Sequence, residues 1–321
     1  MTTSTVNVVG GRRLAMSVFG ELTQTPVFYL HGTPGSRVGL RPSNQQLEEA
    51  DVCLITFDRP GYGRSSRLAS RTVADVAQDV AAIADHLGLK RFAVLGRSGG
   101  GPHALACAAL LSHRVTRAAT LVSLAPMQAP GLNWFEGMAE SNVDAYTVAA
   151  TDPVKLKALL EVAAAGIYAD PTSHVTRLSE EMPEADRQAV ANKRVQAALA
   201  QSFAEAVRDS AEGWIDDVLA FCSPWGFDLS SIKVPVYLWH GGKDVFSPKA
   251  HTKWLADTIP GALAVYEPNR AHFEALEVVA DVLPWLSGRT EKVATSLTSM
   301  VATSRSKAIP ATESSQILVK I

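Results

Sequence analysis

Three side chains in this chain have the types and the placing for nucleophilic acyl chemistry: Ser98, Asp244 and His272. Ser98 stands in Gly96-Arg97-Ser98-Gly99-Gly100, after the apolar run 92–95 and before a small-residue stretch, 103–111, rich in helix formers. Strand, glycine-flanked serine, helix is the context in which a G-x-S-x-G match carries meaning. Reversing from strand to helix in so few residues strains the serine's backbone. Side chains on Gly96 or Gly100 would collide with the neighbouring strand or helix. The turn lifts the hydroxyl above the sheet, at the positive end of a helix. A serine hydroxyl is a weak nucleophile until a base takes its proton, and the base must be oriented by an acid. Asp244 follows the apolar run 234–239 after a glycine-rich loop, and His272 follows the run 263–266.

These groups need a scaffold that brings strand ends together. Residues 6–9 and 13–19 alternate apolar and polar around Gly10-Gly11, which predicts an antiparallel hairpin. Residues 26–30 and 52–57 are continuous apolar runs, as expected of strands buried on both faces. Thr72 is expected to cap a helix with Val73, Val76, Val80, Ile83 and Leu87 on one face, and 118–124 is the next strand. Strand and helix thus alternate, which means a mostly parallel sheet with helices on both faces and a site at the carboxyl ends of its strands. His31, Asp58 and Ser98 all fall at or just past such ends. The pattern breaks between Pro126 and Ile232, where helices are expected over 138–150, 153–164, 184–208 and 211–221. An insertion of that length between two strands usually covers a site. The alternation resumes with strand 234–239, helix 248–259, strand 263–266 and helix 273–286. Beyond Gly288 the chain is rich in Ser, Thr and Ala and reads as a flexible tail.

Composition narrows the classes. The apolar content of 47% in 321 residues suffices for a sizeable core. A net charge of −2, with basic residues scattered, gives no footing for nucleic-acid binding. The three cysteines, Cys53, Cys107 and Cys222, lack metal-type spacing; Cys53 and Cys107 read as small core residues. No run reaches the length of a membrane span, and residues 1–11 carry no signal-peptide pattern, so a soluble cytoplasmic protein is expected.

Five stretches carry a resemblance: His31-Gly32-Thr33-Pro34-Gly35, Asp58-Arg59-Pro60-Gly61-Tyr62-Gly63-Arg64-Ser65, the Ser98 turn, Gly241-Gly242-Lys243-Asp244 and Ala271-His272-Phe273. Their order, and the order Ser98, Asp244, His272, resemble those of the α/β-hydrolase fold superfamily over roughly residues 5–287. The branch it resembles is that of the serine esterases and prolyl aminopeptidases. The resemblance implies an α/β-hydrolase core over 1–126 and 233–287, a helical cap over 127–232 and a tail over 288–321. It implies Ser98 as nucleophile, His272 as base and Asp244 as its orienting acid. The backbone N–H groups of Thr33 and Gly99 would form the oxyanion hole. Pro34 has no N–H to offer.

No metal or cofactor is implied. The expected partner is a small, largely apolar ester or related acyl substrate. A prolyl-aminopeptidase-like enzyme, a C–C bond hydrolase, or a ligand-binding receptor on the same fold are the alternatives. A serine nucleophile argues against epoxide hydrolases and haloalkane dehalogenases, which use aspartate. His31 and His240 are read as structural, His103 as lying below the active face, His251 as sitting within a helix, and His86, His113 and His174 as surface positions. Asp58 is read as part of a structured turn. Arg97 is read as an anchor of the elbow, the alternative being contact with an acidic ligand. Ala271 stands where many relatives have glycine, which restricts the loop that carries His272.

Overall fold

A computed structural model describes residues 2–291 and 300–303. Its frame is a sheet in the order β1-β2-β4-β3-β5-β6-β7-β8-β9. The opening hairpin forms as expected. Strands β1 (Thr2–Val8) and β2 (Arg12–Phe19) pair antiparallel across a short 3-10 turn, Val9–Gly11. β2 then joins β4 (Val52–Phe57) antiparallel. From there β4, β3 (Thr25–Leu30), β5 (Phe92–Arg97), β6 (Val115–Leu121), β7 (Val236–Gly241) and β8 (Leu263–Glu267) run parallel, so their carboxyl ends share one rim. Parallel strands covered on both sides must be apolar on both sides. Accordingly every residue of β4, β5 and β7 is buried.

Helices cover the two faces. α1 (Asn44–Glu49) and α11 (Ala275–Leu286) pack on one side, with Leu47, Val279 and Val282 against Val27, Leu95 and Trp239. α2 (Val76–His86), α3 (Gly100–Leu110) and α10 (Lys249–Thr258) pack on the other. α3 is apolar all round because it is sandwiched, and its residues from Gly100 to Ala108 are buried. α2 starts later than its periodicity predicts. Thr72 does not cap it; instead Asp75, at its N-terminus, accepts from the Thr72 N–H and hydroxyl at 2.7 and 2.8 Å. β6 ends before residue 124, as the chain turns at Val122 with φ +49°.

The stretch between β6 and β7 is helical, as expected, and contains six α-helices. They are α4 (Glu140–Thr151), α5 (Pro153–Ala169), α6 (Pro171–Glu181), α7 (Glu184–Ala191), α8 (Lys193–Ala206) and α9 (Glu212–Cys222). Two expectations are corrected. The predicted helix 184–208 breaks at Asn192, whose side chain accepts from the Arg194 N–H and starts a new helix. α6 was not foreseen. Asp152 and Asp170 each stand before a proline and accept from the backbone N–H three residues on, so both α5 and α6 start at an Asp-Pro cap. Of the expected tail over 288–321, Met300–Thr303 forms β9, antiparallel to β8. The stretches 292–299 and 304–321 lie outside the described residues. No helix among the described residues is long and apolar enough to cross a membrane.

Candidate active site

The strand-to-helix turn at Ser98 has the strained geometry that the sequence demands. Ser98 holds φ at +53°, a conformation L-residues rarely adopt. Its N–H donates to Leu121 O on the neighbouring strand at 2.8 Å, and its carbonyl accepts from Gly101 N at 2.8 Å as α3 begins. A Cβ on Gly96 would run into the Gly100 carbonyl, and one on Gly100 into the carbonyls of Leu30 and His31. Crowding from strand and helix therefore allows no side chain at either place. A Cβ on Gly99 would meet the Thr33 hydroxyl, so the residue after the serine lies hard against the loop that follows β3.

Asp244 and His272 come together although 28 residues apart. His272 Nδ1 lies 2.9 Å from Asp244 Oδ2. The other carboxylate oxygen accepts from the backbone N–H of Phe246 at 2.8 Å and of Ser247 at 3.1 Å, which fixes its orientation. Burial pushes the Asp244 carboxyl up. The charge of His272 and the approach of His240 more than reverse this and hold it well below the usual carboxylate range. An ionised Asp244 only accepts, so Nδ1 of His272 is the donor and Nε2 is the nitrogen left for other partners. The rings of Phe246 and Phe273 pack edge-on against His272, with centroids 5.3 and 5.4 Å away. Ala271 fits this loop without a positive φ, and its N–H donates to Glu274 Oε2 at 2.8 Å.

The rival histidines are engaged elsewhere. His31 Nδ1 donates to the Gly32 carbonyl and its Nε2 accepts from the Arg59 N–H, while burial and then Arg59 push its pKa well down. His240 bonds Thr252 through Nδ1 at 2.7 Å, and its Nε2 stands 3.3 Å from Asp244 without hydrogen-bond geometry. His251 bridges the Ala125 N–H and the Trp134 carbonyl. His174 corrects the surface reading: it lines the cavity that opens over Ser98, stacks edge-on with Phe203, and is pushed down by burial to about 4. Asp58 is the structured turn expected, accepting from Arg37 N at 2.7 Å and Arg64 N at 3.2 Å.

Sequence reasoning missed two carboxylates. Asp217, on α9, is fully buried and gathers Arg59, Arg71, His103, the Tyr62 hydroxyl and the Thr33 hydroxyl. Burial would raise its pKa, but Arg59 and then Arg71 hold it well below the usual range. Its 2.7 Å bond from Thr33 Oγ1 ties the loop after β3 to the inserted helices. A signal existed: Asp217 lies three residues after Trp214 and four before Phe221 in an apolar helix, which puts a carboxylate on the buried face. Asp186, in the first turn of α7, accepts from the backbone N–H groups of His272 (3.1 Å) and Phe273 (2.5 Å). Burial raises it to about 6, against the lowering pull of His272. Pro-Glu-Ala-Asp reads as any acidic helix start, and nothing in the sequence singles it out.

A cavity of about 430 Å³ opens over these groups, a volume suited to a small ligand. Ser98, Gly99, Thr33 and His272 form its floor, and Tyr146, Leu156, Leu160, Leu178, Phe203 and Trp214 from the inserted helices form its largely apolar walls. Neither the Thr33 N–H nor the Gly99 N–H has a hydrogen-bond partner among the described residues. No group of His, Cys, Asp or Glu among them is placed to hold a metal ion.

The family model for the alpha/beta hydrolase fold matches residues 25–277. The chain belongs to the α/β-hydrolase family. Over 277 residues this family member is 26% identical to the dihydrolipoyllysine-residue acetyltransferase component of an acetoin cleaving system from Pseudomonas putida, a match covering 85% of this chain. It spans only 65% of that longer relative. It is also 26% identical over 270 residues to a non-heme haloperoxidase of Rhodococcus erythropolis, covering 81% of this chain and 92% of that one. Among solved structures, the enol-lactonase from Burkholderia xenovorans LB400 superposes with a TM-score of 0.65 at 21% identity, covering 88% of this chain and 97% of that one.

Proposed function

We propose that this hydrolase cleaves an ester or related acyl bond of a small, largely apolar substrate through a covalent acyl-enzyme on Ser98. One observation carries the reading: a serine with φ +53° shares a cavity floor with a histidine whose Nδ1 is held by a buried aspartate. The bond from Nδ1 to Asp244 leaves Nε2 of His272 free to take the Ser98 proton as Oγ attacks the carbonyl carbon. Negative charge then develops on the carbonyl oxygen. The N–H groups of Thr33 and Gly99 are the donors proposed to meet it, and Asp217 steadies the first of these loops through the Thr33 hydroxyl. His272, now protonated and balanced by Asp244, passes its proton to the departing alkoxide. Water enters by the same route in reverse: His272 takes its proton, the hydroxide attacks the acyl carbon, and Ser98 leaves with the proton restored. This sequence needs no cofactor.

The test is covalent labelling by a fluorophosphonate together with turnover of short p-nitrophenyl esters. Both are expected of the purified protein, and both should vanish in Ser98→Ala. Labelling that persists in that variant removes Ser98 from its role. Tight ligand binding without hydrolysis of an ester, amide and thioester panel would instead support a receptor.

A further inference from the structure

The structure holds four buried arginines among its described residues: Arg37, Arg59, Arg71 and Arg97. Three of them have carboxylates. Arg37 meets Asp58 and Glu205, and Arg59 and Arg71 share Asp217. Arg97, the residue before the serine, has none within 4 Å among the described residues, and its Nη1 has no hydrogen-bond partner. Only 8% of it is exposed. A guanidinium stays charged at any ordinary pH, and burying it without a counter-ion costs free energy that water would otherwise supply.

Its position is as informative as its isolation. Leu95 and Arg97 alternate with Gly96 along β5, so Arg97 projects toward the face that Leu95 helps to fill, at the rim. There the guanidinium lies beside Tyr29 and over the Phe273 ring, 5.7 Å from its centroid. It borders the cavity over Ser98 together with Thr33 and Pro34. Gly32 leaves a gap at this place. The point its Cβ would occupy is 3.5 Å from Arg97 Nη2 and 3.5 Å from Ser98 Cβ. Guanidinium and nucleophile therefore flank one opening, on the side of the loop proposed to receive the carbonyl oxygen.

We infer that Arg97 is a specificity-determining residue that receives a carboxylate on the acyl part of the substrate. The inference rests on the acyl-transfer reading of the same cavity. The preferred substrates are then short hemi-esters of dicarboxylic acids, or lactones that bear a carboxylate. Their chain lies along the apolar walls, and their anion completes the charge that the fold leaves bare. A planar guanidinium suits a carboxylate with two parallel hydrogen bonds.

The experiment compares the p-nitrophenyl hemi-ester of glutaric acid with p-nitrophenyl butyrate. A charge-assisted pair of hydrogen bonds is worth about 10- to 100-fold, so kcat/KM should favour the hemi-ester by roughly that factor, mostly through KM. In Arg97→Met the ratio of the two kcat/KM values should fall to one or below, and Arg97→Lys should restore part of it. In the unsubstituted protein, glutarate should compete with p-nitrophenyl butyrate, while glutaramide should not. That arm needs no variant to fold. Equal use of both esters with no inhibition by glutarate would overturn the inference, and the elbow would then hold Arg97 for structure alone. Such a result leaves the acyl-enzyme reading intact as long as fluorophosphonate labels Ser98. Loss of labelling as well would remove both.

Discussion

Replacing Asp186 by asparagine tests whether a carboxylate from the inserted helices governs the loop that carries His272. Asp186 is buried, accepts two backbone N–H groups, and has no cation in a salt bridge with it among the described residues. Burial lifts its pKa from 3.8 to about 6. The sign follows from linkage. A carboxyl that binds its proton more tightly in the fold than in the unfolded chain favours the fold below both values. That advantage is lost as pH rises from about 4 to about 6. A shift of about two units corresponds to about 3 kcal/mol in all, of which about 2 kcal/mol falls between pH 7.5 and pH 4.5. The asparagine of Asp186→Asn does not titrate. Its amide keeps an acceptor for one N–H but turns an NH₂ toward the other, a loss of about 1.5–3 kcal/mol at neutral pH, where the native acceptor is charged. Urea unfolding of both proteins at several pH values reads this group together with its coupling to His272 and Asp244, because the titrations of groups that do not interact with it cancel in the difference. The native protein should gain about 2 kcal/mol on the variant as pH falls from 7.5 to 4.5. A difference that is flat with pH, or that grows toward neutrality, would refute the assignment of a raised pKa. If the loop needs this tether to present His272, kcat for ester turnover should fall in the variant with KM little changed.

Two further outcomes follow from the same contacts. Asp244→Asn should fold, yet lose about 10³- to 10⁴-fold in kcat, because an amide no longer secures the His272 tautomer; steady-state kinetics with a p-nitrophenyl ester reads this directly. Asp217→Asn removes the charge shared by Arg59 and Arg71 and should cost about 3–5 kcal/mol in urea unfolding, since breaking a buried ion pair strands its partners.

The sequence revealed the frame well, because its signals are local and strong. Buried parallel strands show as continuous apolar runs, and the glycines around Ser98 are dictated by steric contacts that the structure displays. Ser98, Asp244 and His272 each stand at or past a strand end, but so do His31 and Asp58, and it is the order of the matching motifs rather than spacing alone that marks the three as candidates. The inserted helices were less legible. α6 averages polar and carries few apolar residues, with Val175 buried and Leu178 packed against the core beside it, so it offers little hydrophobic weight to read. The long run 184–208 conceals a break at Asn192 because residues on both sides are good helix formers. Asp186 and His174 acquire their surroundings only when α7 meets residues 87 positions away and α6 closes over the cavity. Arg97 was legible as unusual, but only the absence of a carboxylate near it in three dimensions separates it from Arg37, Arg59 and Arg71.

The helix α9 has a consequence for how this scaffold can be recombined. By position in the chain it belongs to the insertion, yet Asp217 balances two arginines of the core, and Gly213 packs so closely on Gly61 and Tyr62 that a side chain there would clash. A chimera that exchanges the whole stretch between β6 and β7 would carry this helix away and leave Arg59 and Arg71 without a counter-charge. Crossovers placed before α4 and between α8 and α9 spare it. The exchangeable module is therefore shorter than the insertion, and its far boundary lies inside what the chain order presents as one piece.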